Sequence, residues 1–236
     1  MSNSAESQRP VVVVTGASSG IGAAIASDLS QRGYIIAGLD LVHAGWDLSF
    51  EVDVADPTAM MNAIRAVEKK LGPISGAVSA AGHYETVPVE DITAAQWHRM
   101  LRVHLGGLLN LSRAVVPSMV ERRAGSIVAV TSELAIGGGD GEAHYAAAKG
   151  AMIGFVRSLA IELAANSIRV NGVAPGPTDT PMLSTDSPWR RPEYLQTLPL
   201  GRLAFPDEVA RVVAHLLHEA TFTTGEVISP NSGAVI

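Results

Sequence analysis

Cysteine is absent from all 236 residues. Disulfides and thiolate metal sites are thereby excluded, and a cytoplasmic chain is the expected setting. Basic charge is also short: 17 Lys and Arg stand against 23 Asp and Glu, a net charge of -6. A nucleic-acid surface needs a basic field, so that partner class is not expected. No apolar signal core opens the chain, because "MSNSAESQRP" is polar. No long hydrophobic run survives inspection either. The greasiest stretch, Leu105 to Val120, is interrupted by Asn110, Ser112, Arg113 and Pro117, which argues against a membrane span. Internal repeats, low-complexity linkers and charge runs are missing too. A single domain over 11–236 behind a polar tail of 1–10 is the expectation.

What is present is alternation. Apolar β-branched runs such as "VVVVT" (Val11–Thr15), "YIIAGLD", "ISGAVSA", "SIVAVTS" and "SIRVNGVA" alternate with longer helical patterns. That order predicts an α/β fold of Rossmann type: a seven-stranded, mostly parallel sheet with helices on both faces. Helices are expected over Ile21–Arg32, Pro57–Lys70, Ala94–Arg122, His144–Ala164 and Pro206–His218. Strands are expected to begin at Phe50 ("FEVDV") and to close the chain at "GEVIS". A loop near 181–200, rich in Pro, Thr and Ser, would face the substrate. One connection is short. Only "LVHAGWDLS" separates Asp40 from Phe50. Those residues can return along a strand but leave no room for a regular crossover helix.

The loop "TGASSGIG" sets Gly16, Gly20 and Gly22 between the first strand and its helix. Glycines there allow a tight turn and close approach of a pyrophosphate to the positive helix terminus. The spacing is not the standard dinucleotide fingerprint, and a plain glycine turn capped by Ser18 or Ser19 is the competing reading. Asp40 adds weight. It ends the second strand, where an acid holds the adenosine ribose hydroxyls and repels a 2′-phosphate. The cofactor expected is therefore NAD. Asp53, read as the end of the third strand, could meet the adenine amino group or serve as a turn residue.

Tyr145 and Lys149 lie four apart in the small-residue helix "HYAAAKGA", on one face. A nearby cation favours the phenolate, and a shift of three units corresponds to about 4 kcal/mol of differential stabilisation. An isolated surface pair would look the same. Ser132, thirteen residues earlier, could hydrogen-bond a substrate oxygen opposite the tyrosine.

Taken together, "TGASSGIG", Asp40, Ser132, Tyr145-x-x-x-Lys149 and "NGVAPGPTDT" (Asn171–Thr180) resemble the short-chain dehydrogenase/reductase family along nearly the whole chain. The resemblance implies hydride transfer between NAD(H) and a secondary alcohol or ketone, with Ser132, Tyr145 and Lys149 catalytic. It places the cofactor against Gly16, Ser18, Ser19, Gly20, Ile21, Gly22, Asp40, Leu41, Asp53 and Val54. The segment "SAAG" contributes Ala80, Ala81 and Gly82, without the family's asparagine pair. Pro175, Gly176, Thr178 and Thr180 complete that surface, together with Tyr145 and Lys149. The family usually carries an asparagine in the long fourth helix for proton relay; here that position is His104, either a relay or a packed histidine.

The substrate pocket should be lined by His83, Tyr84, Glu133, Ile136, the "GGGDG" loop, Met182, Leu183 and Trp189. The short crossover, "SAAG" and "PGPTDT" look most like the branch that oxidises cyclic dihydrodiols. The 3-oxoacyl-carrier-protein reductases, which commonly use NADP, are nearly as similar. A non-catalytic NAD-sensing protein is the reading from another class. No metal is expected, since nothing completes His215 and His218. The partners expected are a small molecule and a second copy, as a homodimer or homotetramer.

Overall fold

The computed structural model describes residues 9–235. Most of the tail expected over 1–10, and residue 236, lie outside them. The described chain is built on one sheet of seven strands in the order β3-β2-β1-β4-β5-β6-β7, every pairing parallel. The strands are β1 (Val11–Thr15), β2 (Ile35–Asp40), β3 (Leu48–Glu51), β4 (Ile74–Ser79), β5 (Gly125–Val130), β6 (Ile168–Val173) and β7 (Val227–Ile228). The helices are α1 (Gly20–Gln31), α2 (Pro57–Leu71), α3 (Ala94–Leu101), α4 (Gly107–Arg122), α5 (Leu134–Gly137), α6 (Ala143–Ala164), α7 (Pro192–Leu195) and α8 (Pro206–Ala214).

The sheet is covered on both sides, which is why its central strands read as unbroken apolar runs. Val11 and Val13 pack with α2, α4 and α6 on one face. Val12 and Val14 pack with α1 and α8 on the other. Local signals set the helix starts. Asp56 caps α2 by accepting from Thr58 N (2.8 Å) and Ala59 N (3.0 Å), with Pro57 at the first helical position. Thr93 and Gln96 form a reciprocal capping box on α3. No helix among the described residues is long and apolar enough to cross a membrane.

Several boundaries differ from expectation. The helix anticipated over Ala94–Arg122 is continuous but contains a π turn at Arg102–Gly106. The helix anticipated to His218 ends as α8 at Ala214 and runs into a second π turn, His215–Glu219. The third strand begins at Leu48 rather than Phe50, because Ala37 and Gly38 already pair with Leu48 and Ser49. Asp47 holds that entry by accepting from Ile36 N (3.0 Å). The strand consequently ends at Glu51, and Asp53 lies beyond it. Between β2 and β3 there is no helix. Trp46 fills the space instead. Its indole N–H donates to Ala17 O (2.9 Å), and a Cβ on Gly38 would stand 2.7 Å from its ring.

Candidate active site

The carboxyl ends of β1, β2, β4, β5 and β6 open into one cleft, as open parallel sheets dictate. At one end lies the glycine loop. Gly16 has φ +71°, and a Cβ there would stand 2.8 Å from Ala81. A Cβ on Gly22 would fall 2.0 Å from Gly16 O, so the helix start packs directly on the turn. Thr15 holds the opposite wall, its Oγ accepting from Ala80 N and Ala81 N at 3.1 Å each. The cradle is thus open backbone that side chains would fill. Gly16, Ser19, Gly20, Ile21, Gly22, Asp40, Leu41, Asp53, Val54, Ala80, Ala81 and Gly82 all line the cleft. These residues fit a dinucleotide.

Ser18 is the exception. It is not among the cleft-lining residues, and its N and Oγ both donate to Asp40 Oδ2 (3.0 and 2.6 Å). Asp40 Oδ1 accepts from Leu41 N (2.7 Å). The loop and the acid are therefore one hydrogen-bonded unit. Ser19 stands at the N-cap of α1 but makes no side-chain capping bond. Asp53 uses Oδ1 to accept from Ala55 N (2.9 Å), the turn role, while still bordering the cleft. Asn110 does not face the site; it donates to Val54 O (2.9 Å) and fixes the segment behind Asp53.

At the other end, Ser132, Tyr145 and Lys149 are buried side by side. Ser132 lies two residues past β5, not on it. Lys149 Nζ donates to Val130 O (2.8 Å) and sits 5.6 Å from the Tyr145 ring centre. Burial dominates the electrostatics here. It pushes the Tyr145 phenol up, helped by the Glu133 carboxylate and opposed by a hydrogen bond with Ser132. It also lowers the Lys149 ammonium to about 7. Desolvation, not the lysine charge, sets the direction of the tyrosine's shift in this cleft.

His104 is buried in the π turn, its ring edge-on to Tyr145 at 5.5 Å and stacked on His83 at 5.4 Å. Its Nε2 lies 2.9 Å from His83 O, and its Nδ1 has no partner among the described residues. Burial first, then the Lys149 charge, hold it neutral, with its pKa well below the usual value. Gly82 must lack a side chain for this ring to fit, since a Cβ would meet His104 Cε1 at 2.4 Å.

His83, Tyr84, Glu133, Met182, Leu183 and Trp189 line the cleft at this end. Ile136 and the "GGGDG" loop do not line it. Ile136 is 55% exposed, and Gly141 O instead accepts from Val87 N (2.7 Å). The loop after Thr180 folds over the cleft. Trp189 donates its indole N–H to Tyr84 Oη (3.1 Å), and the Tyr84 hydroxyl donates to Glu142. Arg190 pairs with Asp179 (2.7 Å) and donates to Leu183 O (3.1 Å), bracing the same loop. Pro175, Gly176, Thr178 and Thr180 form the floor between the two ends.

Sequence reasoning passed over Arg99, Val103 and Leu134, which also border this end. For Arg99, only the helix phase, one turn before Val103, carries a signal in the sequence. His215 pairs with Glu219 (2.9 Å), and among the described residues no three His, Cys, Asp or Glu gather as metal ligands.

A family model described as enoyl-(acyl carrier protein) reductase matches residues 16–234. The 3-oxoacyl-[acyl-carrier-protein] reductase of Thermotoga maritima is 38% identical, over 96% of this chain and 98% of the relative. The acetoacetyl-CoA reductase of Synechocystis sp. is 37% identical, over 94% of each chain. A ligand-free structure of Thermoplasma acidophilum aldohexose dehydrogenase superposes with a TM-score of 0.90 at 32% identity, covering 96% of this chain and 94% of that one. The chain belongs to the short-chain dehydrogenase/reductase family and is an oxidoreductase that, like the family, is built for a nicotinamide cofactor.

Proposed function

We propose that the protein is a ketoreductase that reduces a 3-oxoacyl thioester, with NAD(H) as its cofactor. The observation that carries the reaction is the meeting of Ser132, Tyr145 and Lys149 on one wall of a cleft that runs to the glycine loop. The substrate class rests on the two reductases named above. The cyclic dihydrodiol suggested by local motifs has no such relative among those named.

When bound, the nicotinamide ring supplies the hydride. The chain's own residues do the rest. Ser132 hydrogen-bonds the ketone oxygen. Tyr145 gives that oxygen its proton, and a buried, neutral phenol is the acid that reduction requires. Lys149 stands behind the tyrosine, poised near neutrality to pass a proton on. His104 occupies the family's asparagine position, and its neutral ring leaves Nδ1 free to accept. Asp40 favours the ribose hydroxyls of NAD and opposes a 2′-phosphate, and neither Leu41 nor Val42 supplies a compensating cation.

The test is an activity assay in both directions: reduction of acetoacetyl-CoA and longer 3-oxoacyl thioesters with NADH or NADPH, and oxidation of aldohexoses and cyclic diols with NAD+ or NADP+. The expected result is turnover of the thioesters with a preference for NADH. Asp40→Ala should shrink that preference by roughly tenfold, the loss of about one hydrogen bond to a charged group. Turnover of diols or sugars alone would overturn the substrate assignment, and equal use of both cofactors would overturn the role of Asp40.

A further inference from the structure

Glu133 follows Ser132 directly, yet both side chains reach the cleft. In a strand, neighbours point to opposite faces. Here β5 has already ended at Val130, so the irregular backbone turns both inward. The Glu133 carboxyl is buried, at 6% exposure, and among the described residues it forms no ion pair. Its side-chain partner is the catalytic serine: Glu133 Oε2 lies 3.2 Å from Ser132 Oγ, beside backbone N–H groups of Glu133 itself and Leu134.

Ser132 has one hydrogen to give. Its Oγ already accepts from Leu134 N (3.2 Å). Three acceptors compete for its hydrogen: the Glu133 carboxylate, the Tyr145 oxygen and, in turnover, the substrate oxygen. We propose that Glu133 is a positioning residue that decides where the Ser132 hydrogen points. A protonated Glu133 donates to Ser132 Oγ and leaves the serine hydrogen for the substrate. An ionised Glu133 takes that hydrogen for itself and disarms the serine. No bond to carbon changes in this step; one proton is bound or lost at Glu133. The role rests on the ketoreductase reading above.

The groups facing Glu133 decide where the proton leaves. Glu142, at the start of α6, opposes the charge; Tyr145 from α6 and Tyr194 from α7 gain nothing from a carboxylate beside them. Lys149, on the same helix as Tyr145, is engaged with Val130 O. Burial outweighs the hydrogen bonds from the Glu133 backbone, Ser132 and the Leu134 backbone, and the carboxyl is pushed up to about 7. The sign follows. The armed, neutral form prevails below that value and is lost as pH rises. Two units above it, about one carboxyl in a hundred remains protonated.

The profile of kcat/KM against pH reads groups of the free enzyme. For the parent it should fall steeply between pH 6 and pH 9. Lys149 titrates in the same window, so the comparison is with Glu133→Gln, whose amide donates to Ser132 Oγ at every pH. That variant should lose at least tenfold less over the interval. Glu133→Ala, which cannot take the serine hydrogen either, should share the flatter profile of Glu133→Gln. A Glu133→Gln profile superposable on the parent's would overturn the proposal. A second readout needs no turnover: carboxyl 13C NMR of the ligand-free protein. A midpoint near 7 should vanish in Glu133→Gln and move upward in Ser132→Ala, where the carboxylate loses its donor. An unmoved midpoint in Ser132→Ala overturns the proposal even in an active enzyme. Failure to reduce any ketone, with the midpoint moving as stated, overturns the functional reading alone.

Discussion

Tyr145 makes its chemistry testable by a single atom. Tyr145→Phe keeps the ring, its edge contacts with Tyr84 and His104, and its packing against Ala148, while removing the oxygen. Turnover should fall by at least roughly 100-fold, as removal of an acid–base group does. Cofactor titration by fluorescence should show nearly parental affinity. A variant that kept most of its activity would remove the tyrosine from the mechanism. At this scale the sequence was informative where a side chain has one use. The Tyr145–Lys149 spacing and Ser132 pointed to one wall of one cleft, and the structure brings them there. It was less informative where a residue has several partners to choose from. Ser18 could cap α1 or face a phosphate; the structure turns it to Asp40, a residue twenty-two positions on, and no local pattern encodes that choice.

Among the elements, the start of α1 carries the tightest constraint. Gly22→Ala would set a methyl group on Gly16 O, backbone against backbone, where nothing flexible can yield. Overpacking of this kind costs about 1–3 kcal/mol. The melting temperature should drop by roughly 2–4 °C for each kcal/mol in a chain of this size. Cofactor affinity should weaken with it, because the same turn forms the cradle. An unchanged melt and an unchanged titration would show that the loop tolerates a side chain. Buried parallel strands were legible because both faces are covered and their residues are almost uniformly apolar. The absence of a helix between β2 and β3 followed from chain length alone. The π turn at Arg102–Gly106 was not legible. One extra residue in a helical turn leaves the apolar periodicity on either side intact, so "RVHLG" reads as ordinary helix. Its effect is nevertheless local and chemical, since it carries His104 to Gly82 and Tyr145.

At the scale of the whole molecule, α6 leaves Ile161 82% exposed, beside a shallow depression formed with Arg157, Ala164 and Gly225. Leu109 of α4 and Phe222 are exposed as well. More apolar surface is presented than one core needs, and a second copy meeting it about a twofold axis is the expected cover. Sedimentation should give a dimer or tetramer at micromolar concentration, and Ile161→Asp should shift it toward monomer. A parental monomer would refute this. The three tryptophans are also distributed over the molecule in a useful way. Trp46 is tied to Ala17 beside the glycine loop, Trp189 to Tyr84 over the substrate end, and Trp97 lies on the outer surface of α3. Indole emission overlaps the absorption of a reduced nicotinamide. The two bonded indoles are thus optical reporters at opposite ends of one cleft, and replacing Trp97 with phenylalanine would leave light only from the places where ligands arrive.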